Sequence, residues 1–281
     1  MIKGMAFGRG LLAVLAYLLF AVATNYIRSQ PVQTVEMDGS VVLPPPLQTI
    51  LYFGDPFLAA NIESSRILAT GGDLKGVLGD YYNRLHPTIA QLNPCHEDNY
   101  YIANAFLAWA GGVEPAIQIL SKATQCRFWD EVPPFFLGYN LYFFKQDYAG
   151  AKAELDKAAD RSTDNRIGFR KMGIMFGSGA YPDTKAARNY LALQREQASD
   201  PKLRAMLDQR IARLEGLILL RDAQSTFQQR FGKTLENPMD LITSGMLKQF
   251  PSDPMRLGYE FTEGRFSLKE LKIRGMEKVR K

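Results

Sequence analysis

The sequence predicts a mainly α chain: helix hairpins stacked into a solenoid, then one long helix, then a small C-terminal β-hairpin module. Three observations predict it. Apolar residues keep helical periodicity from Pro56 to about Phe231, with almost no strand-like alternation. Within that stretch the chain resembles itself at a spacing of about 35 residues. Beyond Gly232 the composition changes to short, turn-rich segments that end in an alternating run. The 281 residues supply enough material for a sizeable core, and 46% hydrophobic with 22% charged residues argue against wholesale disorder and against a polytopic membrane protein.

Leu11 to Ala23 is an unbroken apolar run behind Lys3 and Arg9. Counted from Gly10 to Ile27 it holds about 18 residues, near the lower limit for a bilayer-spanning helix. The flanking cations predict a cytoplasmic N-terminus with the rest of the chain crossing. A cleaved signal peptide competes, because Ala21-Val22-Ala23 has the small-x-small form of a cleavage site. A buried core helix fits poorly at an extreme terminus behind two cations. Residues 1–27 therefore read as a membrane anchor or signal peptide, and either places everything after Tyr26 outside the cytoplasm. Residues 28–55 read as a linker, with Pro44-Pro45-Pro46 favouring extended polyproline geometry.

Residues 56–201 carry the repeats. Ala116, Leu120 and Ala123 recur as Ala151, Leu155 and Ala158, and again as Ala186, Tyr190 and Leu193. Tyr81, Leu85 and Thr88 share the phase. Upstream in each unit, Ala103, Gly138 and Gly173 correspond. The A-x-x-x-L-x-x-A stripe at i, i+4 and i+7 covers one helical face, and the small residues admit a neighbouring helix. Each hairpin leaves apolar surface that only the next can bury, which predicts stacking.

This pattern resembles the tetratricopeptide repeat (TPR) family. The segment FFLGYNLYFFKQDYAGAKAELDKAAD, Phe135 to Asp160, looks like one repeat: a small residue midway in the first helix, Asp147-Tyr148 at the turn, then the small-residue stripe. The resemblance covers roughly Ile62 to Pro201 and implies a TPR-like α-solenoid. Two departures are visible. Gly177-Ser178-Gly179 predicts that one first helix turns early, and Pro133-Pro134 shortens the start of another. The family's phase implies concave positions at Tyr101, Trp109, Phe136, Asn140, Phe143 and Lys171, an aromatic wall suited to an extended peptide or a partner's helix. The same spacing equally describes aromatics that pack between hairpins.

On the repeat model, Cys95 and Cys126 lie in consecutive loops at one edge of the solenoid, about 10 Å apart along the axis. Loop freedom brings such α-carbons into disulfide range, about 4.4–6.8 Å, and an even cysteine count in an exported chain supports a bridge. The alternative is two unpaired thiols. Cys95-His96 with Glu97 and Asp98 has no second Cys or His at ligand spacing, so no metal site is expected. His96 is only a sequence neighbour of Cys95, which is not the arrangement of a catalytic dyad. His86 precedes Pro87 and is expected to end or kink a helix.

Residues 202–268 form a different module. Leu203 to Phe231 reads as a long helix, with Asp200 as N-cap, Pro201 at its first position and Gly232 as its stop. A turn at Asn237-Pro238, a short helix Met239 to Thr243 and a hairpin broken at Glu263-Gly264 come next. Gly232, Pro238, Leu241, Gly245, Leu247, Pro251, Asp253, Pro254, Gly258 and Tyr259 are similar to the segment after the long helix in type II secretion pseudopilins. A pilin carries its apolar polymerisation helix directly before that region. Here the apolar run lies far upstream, so the resemblance implies an add-on module rather than a pilus subunit, and no calcium ligands carry over. The tail, residues 269–281, reads as a solvated basic end, with weak contact to anionic lipid as a further option.

No phosphate-binding glycine loop, H-E-x-x-H or G-x-S-x-G is present, so no catalytic residues and no cofactor are expected. The net charge of +5, drawn partly from the two termini, makes no case for nucleic acid. The expected protein is a non-enzymatic scaffold outside the cytoplasm, and the resemblance to pseudopilins implies the periplasmic side of a bacterial inner membrane. It is held by a single N-terminal helix and binds a protein partner in the assembly of a pilus or secretion machine. The alternatives are a cell-envelope enzyme, for example one acting on glycan, and a cleaved, soluble periplasmic scaffold.

Overall fold

The computed structural model describes residues 14–26, 41–70 and 77–269. The chain divides into two compact units, 1–40 and 41–281. In the first, residues 14–26 form a helix, α1, whose side chains are all exposed. Its described length is about 20 Å at 1.5 Å per residue, against about 30 Å for a hydrocarbon core. Among the described residues no helix is long and apolar enough to cross a membrane. The rest of the 1–27 segment, residues 28–40 of the linker and the tail beyond 269 lie outside the described residues.

The second unit begins at Val41, inside the stretch that reads as linker in the sequence. Pro44 is extended, but it caps a helix, α2 (Pro45–Leu51), instead of continuing a polyproline run. Pro45 and Pro46 occupy the first turn, where a missing N–H leaves nothing unsatisfied. Helices α3 (Pro56–Thr70) and α4 (Val77–Leu92) pack on each other and on α2. Pro87 lies inside α4, which runs on five residues further, so the expected break at His86-Pro87 does not occur.

Two hairpins come next. In the first, α5 (Glu97–Ile102) passes into a π turn, Ala103–Leu107, and pairs with α6 (Val113–Cys126). In the second, α7 (Val132–Asn140) passes into another π turn, Leu141–Lys145, and pairs with α8 (Tyr148–Arg161). The stripe residues Ala116, Leu120, Ala123, Ala151, Leu155 and Ala158 are all buried, as are Tyr81, Leu85 and Thr88. Asp147 caps α8 by accepting from Gly150 N–H at 2.9 Å. Leu155 is clasped between Gly138 of α7 and Gly173 of α9 (Arg166–Gly177), so the small positions do what the repeat logic requires of them.

The third copy departs from the pattern. Helix α9 turns into a 3₁₀ segment at Ser178–Ala180, and α10 (Thr184–Gln197) packs chiefly on α11 (Pro201–Phe231) rather than on α9. Ala186 and Tyr190 are only half-buried and Leu193 is exposed, while Leu191 takes the inward place. The change of partner rotates the buried face. It comes close to α9 at Gly177, where a Cβ would collide with the Tyr190 hydroxyl.

Helix α11 is capped by Asp200, whose side chain accepts from Leu203 N–H at 2.8 Å, and closed by Gly232 in the left-handed region. It serves two cores. Leu203 and Leu207 pack with Ile174, Leu191 and Ala198. Leu217, Leu220, Ala223 and Phe227 pack with Leu235, Leu241, Leu247 and Phe266. After a single turn of helix, α12 (Asp240–Thr243), strands β1 (Tyr259–Thr262) and β2 (Arg265–Leu268) form an antiparallel hairpin with Thr262 opposite Arg265. Its loop residues Glu263 and Gly264 both have positive φ, the requirement of a tight two-residue turn.

Asp253 organises the approach to β1. Its carboxylate accepts from the N–H groups of Met255, Leu257 and Gly258 and from Arg213 Nε at 3.0 Å. Burial alone would raise this carboxyl, but those bonds and the guanidinium outweigh it and hold it below the usual range. Arg213 also donates to Lys269 O, and the Tyr259 hydroxyl donates to Arg213 O at 3.1 Å above Gly216. One buried arginine on α11 therefore ties the approach to β1 and the end of β2 to the long helix, beside the apolar core they share.

Candidate functional site

The first helices of the hairpins, α5, α7 and α9, present the candidate wall. Tyr101, 40% exposed, meets the half-buried Phe136 edge-on at 5.5 Å between ring centroids. Phe135 extends that contact to Phe136 and to Phe169 of α9, each at 5.4 Å. Further along, Trp109, 55% exposed, lies 5.1 Å from both Phe143 and Phe144, and Tyr139 stacks on Phe143. Phe106 adds an exposed ring. The wall thus carries two aromatic clusters, about two helical turns apart.

The π turns make the second cluster. Each inserts one residue into the helical ladder and so rotates the side chains beyond it. In the first, Ala108 N–H reaches Ala103 O, five residues back. The buried set becomes Ala103, Leu107 and Ala108, which leaves Trp109 to lie against the equivalent π turn of the next hairpin. Nothing in a 3.6-residue period announces this. The only trace in the sequence is the one-residue slip itself.

Four of the six sequence-predicted positions are therefore brought together in pairs, Tyr101 with Phe136 and Trp109 with Phe143. Asn140 is not on the surface. It is 1% exposed, and its Nδ2 donates to Asn104 Oδ1 at 2.7 Å and to Phe136 O at 2.8 Å. It ties α7 to the preceding hairpin from beneath the wall. Lys171 stands exposed on α9. Phe135, Tyr139, Phe144 and Phe169 are the participants that transferring a repeat phase does not pick out. Lys145 and Glu114 close one end of the wall as an ion pair.

The opposite edge is held covalently. Cys95 and Cys126 form a disulfide with α-carbons 5.3 Å apart, at a sequence separation of 31. Closing a loop of that length removes about 3–4 kcal/mol of chain entropy from the unfolded state. Arg127 sits beside it, donating to Asp130 at 2.8 Å, to Glu97 at 3.0 Å and to Cys95 O. Burial would raise the Asp130 carboxyl, but bonds from Val132 N–H, Arg127 and the Tyr100 hydroxyl hold it below its ordinary range. Burial first, and then Asp130 beside it, push the Tyr100 phenol well above its own. Arg161, at the end of the next hairpin, likewise reaches back to Thr124 O, Arg127 O and Asp130 O. These arginines recur at the repeat spacing and satisfy carbonyls at the end of the preceding unit.

Beneath this edge, His86 Nδ1–H donates to Asn99 Oδ1 at 2.7 Å, and Asn99 Nδ2 returns a bond to His86 O. Burial keeps the imidazole neutral, with its pKa pulled down to about 4. Among the described residues no group of three or more His, Cys, Asp or Glu could hold a metal ion. The wall is an apolar, aromatic platform with the Asn140 amide nitrogen hydrogen-bonded beneath it. In comparisons with protein-family models, curated proteins and solved structures, no match to this chain was found.

Proposed function

We propose that the chain is a TPR-like scaffold on the periplasmic side of a bacterial inner membrane. Its N-terminal apolar segment tethers it, and it takes a peptide or helix of a protein partner along the aromatic wall. The pilin-like pattern around Asp253 points to assembly or support of a pilus or secretion machine as the setting. The observation that carries the reading is the pairing of Tyr101 with Phe136 and of Trp109 with Phe143 on successive first helices. Rings that are held in place yet still exposed are the kind of residue that dominates protein interfaces, because little further ordering is needed on binding. The disulfide supports an oxidising compartment, and a tether raises the local concentration of a weak binder.

The test is site-specific photo-crosslinking in intact membranes from Tyr101 and Trp109, and then the double variant Tyr101→Ala/Trp109→Ala. Both side chains are exposed, so the fold should hold, while the captured partner is lost. Alanine at Phe128 and Trp129, exposed rings on the disulfide edge, should leave capture unchanged. Equal capture by the double variant would refute the reading.

A further inference from the structure

The most exposed apolar surface of the second unit is not the aromatic wall. From Val41 to Asn61 the sequence holds a single charged residue, Asp55. Around the turn between α2 and α3, Ile50, Leu51, Phe53 and Phe57 are all exposed, Phe53 at 97%. Helix α2 ends in a two-bond C-terminal motif, with Gly54 N–H to Thr49 O at 2.7 Å and Phe53 N–H to Ile50 O at 3.2 Å. The position after the cap, where glycine is usual, is Phe53, with φ of 59°. A left-handed backbone therefore carries a full aromatic ring away from the protein, at a conformational cost that glycine would avoid.

The backbone N–H groups of this turn do not need water. Pro45 and Pro46 have no N–H, and Leu47 and Gln48 donate to Pro44 O. Tyr52, Phe53, Gly54, Asp55 and Ala59 donate to carbonyls within the segment. The Asp55 carboxylate accepts from the N–H groups of Phe57 and Leu58, and the Thr49 hydroxyl donates to Pro45 O. A protein interface surrounds its apolar centre with polar and charged groups. The hydrocarbon edge of a bilayer instead favours a segment whose backbone donors are satisfied internally. In sequence, 14 residues, 27–40, lie between the described part of α1 and Val41, and a chain of that length reaches at most about 50 Å.

We infer that the α2–α3 turn is a membrane-contact site, with Ile50, Leu51, Phe53 and Phe57 entering the lipid interface of the bilayer that carries the N-terminal apolar segment. The inference rests on the tether reading above. Its test uses the full chain reconstituted in vesicles of phosphatidylethanolamine and phosphatidylglycerol, with a benzophenone amino acid at Phe53, Phe57 or, as control, Phe128. Flotation is measured first. Irradiation should then give lipid adducts at positions 53 and 57 and none at 128. If the chain does not float with the vesicles, the tether reading and this inference fall together. If it floats, but positions 53 and 57 give no lipid adduct, label a second copy of the chain, or react no more than position 128, only this inference falls.

Discussion

Leu155 is a tight point of the helix stack, and two glycines of equivalent repeat position meet it from opposite sides. A methyl group on Gly138 would stand 2.9 Å from Ala151 O and 3.0 Å from Leu155 Cγ. On Gly173 it would stand 3.3 Å from Leu155 Cβ, with no backbone atom nearer than 3.5 Å. Alanine gains about 1 kcal/mol over glycine inside a helix. At Gly138 a backbone carbonyl is in the way, so the helices must part, and overpacking of that kind costs about 1–3 kcal/mol. At Gly173 a few tenths of an ångström of side-chain movement suffices. Gly173→Ala should therefore be neutral or stabilising, by up to about 1 kcal/mol, and Gly138→Ala neutral to destabilising, by up to about 2 kcal/mol. Urea unfolding monitored by far-UV circular dichroism, at unchanged slope, measures the difference. A Gly138→Ala chain more stable than Gly173→Ala would mean that α7 and α8 do not approach as described, and the account of the stack through its small residues would fail.

His86 links the fold to pH. Below its ordinary pKa near 6.5 the unfolded chain takes up a proton that the folded chain refuses until about pH 4. Stability therefore falls as pH drops through that window, by on the order of 3 kcal/mol. His86→Gln should remove that part of the slope in urea midpoints taken between pH 7 and 4, and an unchanged slope would contradict the assignment. Arg213→Met should leave the Asp253 carboxylate buried without its guanidinium, at a cost of about 3–5 kcal/mol felt mainly in residues 232–268. Hydrogen exchange should rise there and stay constant in α5 to α8. Equal exchange across the chain would show that Arg213 is not the docking residue.

Local chemistry explains which features were legible in advance. Asp200, Pro201 and Gly232 bound α11 because capping, proline tolerance and left-handed glycine act over a few residues and owe nothing to distant packing. The hairpin loop at Glu263-Gly264 is readable for the same reason. The burial of Ala116, Leu120, Ala151 and Leu155 stems from periodicity, since a face repeated at fixed spacing has to be covered. The Cys95–Cys126 bridge needed the repeat model as well as the cysteine count.

Other features depended on partners that no local pattern names. The third copy lost its phase because α11 competes with α9 for α10 and turns Leu191 inward in place of Leu193. Asn140 sits where a groove residue was expected, but the facing Asn104 draws it below the surface. The π turns moved Trp109 onto Phe143 and Phe144 through a one-residue slip that periodicity averages away. The proline run became the start of a helix because Val42 and Tyr52 pack against the core. The sequence by itself determined helix type, caps, turns and the small-residue stripe, all set by each residue's own backbone preference or by a repeated face. Only the tertiary structure decided which helix pairs with which, and therefore which aromatics stay exposed, because that depends on neighbours competing for the same apolar face.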